Sequence, residues 1–151
     1  MNYSNNVWQI LVESNSRGHF FILICVSHTM RVLAIDDNED ITTLLEMVFT
    51  GKGHEFAKSN NGREGLKMIL AQKYDVILLD MAMPEYTGTE VINELKKAGK
   101  LKDQKIIIFT ASSATESELS EVLENEGVCM CLRKPVKTKQ LLETVEEVMQ
   151  Q

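Results

Sequence analysis

Asp36, Asp37, Asp80, Thr110 and Lys134 each follow a short apolar run, and together they offer three carboxylates, a hydroxyl and an ammonium. Clustered carboxylates repel and cannot all ionise cheaply unless a cation neutralises them. With only oxygen ligands in view, the fitting ion is hard and divalent, best met by Mg²⁺ that keeps several waters. Lys134 then adds a second, fixed positive charge. Such a pocket suits a phosphoryl group in transfer, whose charge needs a metal, an ammonium and a hydroxyl donor placed in advance. One carboxylate must stay free to attack.

Those groups converge only if their elements deliver them to one edge. Asp75 to Asp80 contains four consecutive apolar residues, too few for a helix but suited to a strand buried on both faces, and Pro84 forbids helical continuation. Asp80 therefore stands at the carboxyl end of a buried strand, where open α/β sheets bind ligands. Arg31 to Ile35 reads as an earlier strand of the same kind, ending in Asp36-Asp37. Lys105 to Phe109 ends in Thr110-Ala111-Ser112, and Val128 to Leu132 closes on Arg133-Lys134-Pro135. His54 to Lys58 is a short, weak strand suited to an edge.

Helices alternate with these strands. Asn38-Glu39-Asp40 supplies helix-start residues for a stripe of Ile41, Leu44, Leu45, Val48 and Phe49. Leu66, Ile69 and Leu70 form the inner face of a second helix, and Val91, Ile92 and Leu95 that of a third. Thr115 to Glu126 reads as a polar helix with only Leu119, Val122 and Leu123 to bury, so it should be the least firmly held. Leu141, Leu142, Val145, Val148 and Met149 make the last stripe. Five strand-helix units predict an α/β fold, a doubly wound five-stranded parallel sheet with helices on both faces, because right-handed crossovers put them there.

Each site residue also has an ordinary reading. Asp36 and Asp37 could cap a helix, Asp80 could sit in a turn, Thr110 could simply end a strand, and Lys134 could be a solvated loop residue. Their joint arrival at one sheet edge favours the chemical reading.

Composition bounds the rest. The 151 residues hold one ordinary domain with a full core, and the 44% hydrophobic and 25% charged content is that of a globular chain. A net charge of −6 argues against nucleic acid as a partner, since phosphates call for a basic face. Cys25, Cys129 and Cys131 make an odd count without C-x-x-C spacing, so neither a disulfide framework nor a zinc site is indicated, and reduced thiols in the cytoplasm are expected. Cys129 and Cys131, two apart on a strand, should share one face as small buried hydrophobes. Lys96, Lys97, Lys100, Lys102 and Lys105 cluster at and beyond the third helix, read as cations favoured by a helix carboxyl terminus rather than as a patch for an acidic partner.

Residues 1–29 do not resemble the remainder. Phe20 to Val26 is a compact apolar run too short to span a bilayer, and Arg17 alone makes a poor signal-peptide leader. The run could be a cryptic membrane or partner anchor, add an edge strand, or belong to an N-terminal extension that is disordered or skipped by translation from Met30. The last is the expectation, because a complete first strand follows that methionine, and residues 30–151 then form the domain.

From Met30 to Gln151 the chain resembles the receiver domain of two-component response regulators, in a stand-alone, chemotaxis-regulator-like form. The motifs that carry the resemblance are Val32-Leu33-Ala34-Ile35-Asp36-Asp37-Asn38, Leu78-Leu79-Asp80-Met81-Ala82-Met83-Pro84 with Gly88, Phe109-Thr110-Ala111 and Lys134-Pro135. The resemblance implies the flavodoxin-like sheet order 2-1-3-4-5. It also implies phosphorelay signal transduction in the cytoplasm. Asp80 would accept a phosphoryl group from a histidine kinase, a phosphotransfer protein or a small donor. Asp37 would bind Mg²⁺ directly and Asp36 through water, and the backbone carbonyl of Ala82 would complete the protein ligands. Thr110 and Lys134 would hold phosphoryl oxygens. Cys131 falls at the switch position, where the family usually carries a Tyr or Phe, and Ala82 and Ser112 fall where the family tunes loss of the phosphoryl group.

The phosphorylated form would signal through a target protein bound on the face of the fourth helix, fifth strand and fifth helix, with no nucleic-acid or membrane partner and no activity beyond the protein's own phosphorylation and dephosphorylation. Two rivals remain at this point. A receiver-like scaffold would bind without being phosphorylated. A phosphatase of the haloacid dehalogenase type would want a second Asp two residues after its nucleophile, where this chain has Ala82.

Overall fold

The computed structural model describes residues 29–111 and 115–151, together with the backbone of two strands at 7–15 and 18–26. Those two, β1 (Val7–Asn15) and β2 (Gly18–Val26), pair antiparallel in a sheet of their own. No strand of the larger sheet joins them, so the Phe20–Val26 run lies in a hairpin and not on the edge of that sheet.

The larger sheet is formed by β3 (Arg31–Ile35), β4 (Glu55–Ser59), β5 (Val76–Leu79), β6 (Ile106–Thr110) and β7 (Val128–Arg133). Its order is β4-β3-β5-β6-β7, all parallel, which is 2-1-3-4-5 when the five are counted along the domain. The continuous apolar runs are explained by cover on both faces. Leu33, Ile35, Ile77, Leu79, Ile106 and Ile108 point into one core layer, and Val32, Ala34, Val76, Leu78, Ile107 and Phe109 into the other. α2 (Gly62–Ala71), α3 (Gly88–Lys97) and α4 (Glu116–Leu123) cover the first layer; α1 (Glu39–Thr50) and α5 (Thr138–Gln150) cover the second.

Several expectations change in detail. The apolar stripe of α1 is wider than its contact: Leu45 and Phe49 are buried, whereas Leu44 is 56% exposed. Leu70 on α2 and Leu123 on α4 also face outward. α4 is shorter than the expected Thr115–Glu126 at both ends: Thr115 is its N-cap, held in a reciprocal box with Glu118, and Glu124 is its C-cap. Lys96 and Lys97 do lie in the last turn of α3, but Lys105 serves a different helix: its Nζ donates to the carbonyls of Val148 at 2.9 Å and Met149 at 3.4 Å, at the end of α5.

Cys129 and Cys131 do not share a face. Pairing between β6 and β7 slips by one residue between Ile106 and Ile107, and this bulge breaks the alternation. Cys129 consequently packs toward α5's layer and Cys131 toward α4's.

Gly88 sets how closely α3 can approach the end of β5. A Cβ there would lie 2.4 Å from the Asp80 carbonyl oxygen and 2.9 Å from the Met81 Cα, both backbone atoms that cannot swing aside. Gly88→Ala is expected to lower stability by about 2 kcal/mol, measured by urea unfolding, while Thr89→Ala, at the exposed next position of the same helix, loses far less. Equal losses would show that close approach is not what Gly88 permits.

Candidate functional site

The carboxyl ends of β3, β5, β6 and β7 meet at one edge. Asp36 and Asp37 leave β3, Asp80 leaves β5, and the three carboxylates each present an oxygen within 4.8 Å of the others. Asp36 is 2% and Asp80 5% exposed, while Asp37 opens to solvent. The helix-cap reading of the first two fails, because Asn38 is the cap of α1, accepting from the amides of Asp40 and Ile41. Asp36 instead accepts from the Asn38 amide at 3.0 Å with Oδ1. Its other oxygen, Oδ2, meets Lys134 Nζ.

Lys134 reaches the cluster from the end of β7, where its amide donates to the Thr110 carbonyl at 2.7 Å. Its ammonium lies 3.6 Å from Asp80 Oδ1 and 5.1 Å from the centre of the Phe109 ring. That separation from Asp80 makes an ion pair but exceeds hydrogen-bond length. Asp80 Oδ1 is thus buried without a hydrogen-bond partner among the described residues. Such an orphan is costly unless something else meets it. Burial pushes the Asp80 carboxyl above the usual aspartate range; Lys134 and the Ala82 backbone pull against that, while Asp36 and Asp37 push the same way.

Thr110 is buried at the end of β6, and Ala82 stands exposed just beyond β5; both line a groove that opens beside the cluster. Cys131 is half-buried on β7, and burial raises its thiol above the usual cysteine value. Ser112 lies outside the described residues. The edge therefore brings Asp36, Asp37, Asp80 and Lys134 into direct contact range, with Thr110 and Ala82 at its margin and Cys131 further along β7. An all-oxygen set of this kind, with one buried oxygen unpartnered, fits a hard divalent cation.

Asn60 is a part of the site that no sequence motif singled out. Its side-chain amide donates to the Asp36 carbonyl at 2.8 Å and to Thr42 Oγ1 at 3.0 Å, bracing the segment that carries both acidic residues against α1. An Asn directly before the helix cap Asn61 gave no local signal of this, since both acceptors are distant in sequence. Asn60→Ala is expected to cost about 1–2 kcal/mol by urea unfolding and to broaden the amide resonances of Asp36 and Asp37. Unchanged resonances would remove the brace.

Residues 32–146 match the family model described as "Response regulator receiver domain". The chain is 29% identical over 113 residues to the transcriptional regulatory protein DltR of Streptococcus agalactiae, an alignment covering 75% of this chain and 49% of that one. It thus spans about half the length of such relatives. Protein PilH of Pseudomonas aeruginosa is 29% identical over 120 residues, with 79% of this chain and 97% of that one covered. Among solved structures, the response regulator TrrA from Thermotoga maritima, in complex with Mg²⁺-BeF, superposes with a TM-score of 0.69 at 34% identity, covering 80% of this chain and 99% of that one. The matched stretch runs from the first strand of the parallel sheet into the last helix and contains the whole acidic edge, so the chain belongs to the response regulator receiver domain family of two-component systems.

Proposed function

We propose that Asp80 is the phosphoacceptor of a signalling receiver, working with Mg²⁺ in the cytoplasm. The observation that carries this reading is the buried, unpartnered Oδ1 of Asp80, beside two further carboxylates and 3.6 Å from Lys134. The TrrA relative, whose structure holds Mg²⁺-BeF, supports the same chemistry.

Asp80 attacks the phosphorus of the donor; a P–O bond forms to its carboxylate as the donor's P–N bond breaks, or its P–O bond in a small acyl phosphate, and the electron pair leaves with the donor. Asp37, Asp80 and the Ala82 carbonyl would hold Mg²⁺ directly and Asp36 through water, and the ion would supply charge neutralisation when bound. Lys134 holds one phosphoryl oxygen and Thr110 another. The protein modifies only itself.

The donor is a histidine kinase or phosphotransfer protein. Its imidazole must come in line with Asp80, so it contacts the surface around the mouth, where exposed Leu44 borders an apolar recess of about 360 Å³ between α1 and α5. The product changes binding of a target protein on the α4, β7 and α5 face.

The test is intact-protein mass after incubation with acetyl phosphate, with and without Mg²⁺. A Mg²⁺-dependent gain of one phosphoryl group supports the reading. No gain, under conditions that modify a known receiver, overturns it in favour of a scaffold that binds without phosphorylation.

A further inference from the structure

Between α3 and α4 runs a groove of about 560 Å³, most of whose lining has no part in the phosphoacceptor chemistry. Its floor is apolar and fixed: Ile92 on α3 and Leu119 and Val122 on α4 are all buried core residues. Its rim is acidic. Glu118 and Glu121 are exposed and three apart on α4, hence on one side of that helix. Both Thr115 bonds to Glu118 go to Oε2, and Glu121 makes no ion pair among the described residues. None of the described residues lining the groove is basic. Asn125 closes the far end. Its amide donates to the carbonyls of Glu121 and Val122, and its oxygen accepts from Lys96 at 3.0 Å.

An apolar floor beneath two carboxylates selects an occupant with the complementary pattern. We propose that this groove receives a basic segment of a partner protein, with an apolar side chain seated on Leu119 and Val122 and flanking arginine or lysine side chains meeting Glu118 and Glu121. Arginine suits the rim better than lysine, because its planar fork can engage a carboxylate through two bonds. At the near end the groove is walled by Ala82 and Thr110, which also border the acidic edge. An occupant would therefore sense that edge, and by linkage be sensed by it; this consequence alone rests on the proposed phosphotransfer.

The test uses the full chain without Mg²⁺ or phosphodonor, so that it can fail independently of the phosphoacceptor reading. The probe is a short amidated peptide with arginines on either side of a leucine, titrated at physiological ionic strength. Its counterpart with glutamates in place of the arginines is the control. Methyl resonances of Ile92, Leu119 and Val122 should shift with the arginine peptide and not with the glutamate one. Glu121→Lys should weaken binding by about tenfold or more and Glu121→Gln by less, whereas Glu147→Lys, the same charge change on the exposed side of α5, should leave it within about twofold. Equal weakening by the two reversals would reduce the effect to attraction by net charge. Absence of binding, or shifts confined to other surfaces such as Leu44, would overturn the proposal as well.

Discussion

Asp80→Asn is expected to make the metal-free protein more stable at neutral pH, by on the order of 1 kcal/mol, and to abolish phosphoryl uptake from acetyl phosphate. Both effects come from one atom's situation. Asp80 carries a charge that burial disfavours, that Asp36 and Asp37 repel, and whose Oδ1 finds no hydrogen-bond donor. Asparagine keeps the shape and removes the charge. The pH dependence has a definite sign. The folded protein holds the Asp80 proton more tightly than the unfolded chain does, so its contribution to stability is full below the ordinary aspartate range and is lost as pH rises through the elevated folded value. The difference between variant and parent should therefore vanish in acid and open as pH rises. Mg²⁺ should narrow it, because the ion stabilises the parent more than a variant with one carboxylate fewer. Urea unfolding across pH, with and without Mg²⁺, checks this. A parent more stable than the variant at neutral pH without metal would refute the electrostatic account.

Lys134→Met carries the second large effect, in the opposite direction. The ammonium is mostly shielded from solvent and pairs with both buried carboxylates, so removing it leaves Asp36 and Asp80 charged against each other. Breaking a buried pair from one side costs about 3 kcal/mol or more. The loss should be largest without metal and shrink steeply as Mg²⁺ is added, since the ion is then the main compensating charge. On the proposed role of Lys134 as a fixed cation for a phosphoryl oxygen, phosphoryl uptake should fall by about a hundredfold even at saturating Mg²⁺. A companion change, Asp36→Asn, should recover much of the stability but none of the uptake. Stability insensitive to Mg²⁺ in Lys134→Met would argue against a shared cation site.

Asp80 is legible in the sequence because its signal is local. Strands covered on both faces must be apolar throughout, so their ends are visible as the first polar residue after each run, and Asp36, Asp80 and Thr110 stand there. Parallel strands put those ends on one edge whatever the loops between them do. The alternation of runs with helical stripes likewise determined the doubly wound architecture.

What only the tertiary structure decided depends on which distant segment lies alongside. Cys129 and Cys131 parted faces because Ile106 and Ile107 pair with residues two apart on β7, a register that strand alternation alone cannot anticipate. Asn60 became part of the acidic edge through acceptors on β3's exit and on α1. Leu44 and Leu70 satisfied helical periodicity yet face outward, because a stripe can be wider than the sheet surface that covers it. Lys105, placed by sequence beside the end of α3, closes the end of α5, since both lie at the amino-terminal edge of the sheet. The sequence alone thus determined the order of elements and the residues at their ends, through side-chain period and polarity. Register, helix coverage and the groove between α3 and α4 were decided by packing, because each depends on contacts between residues that the chain does not hold close together.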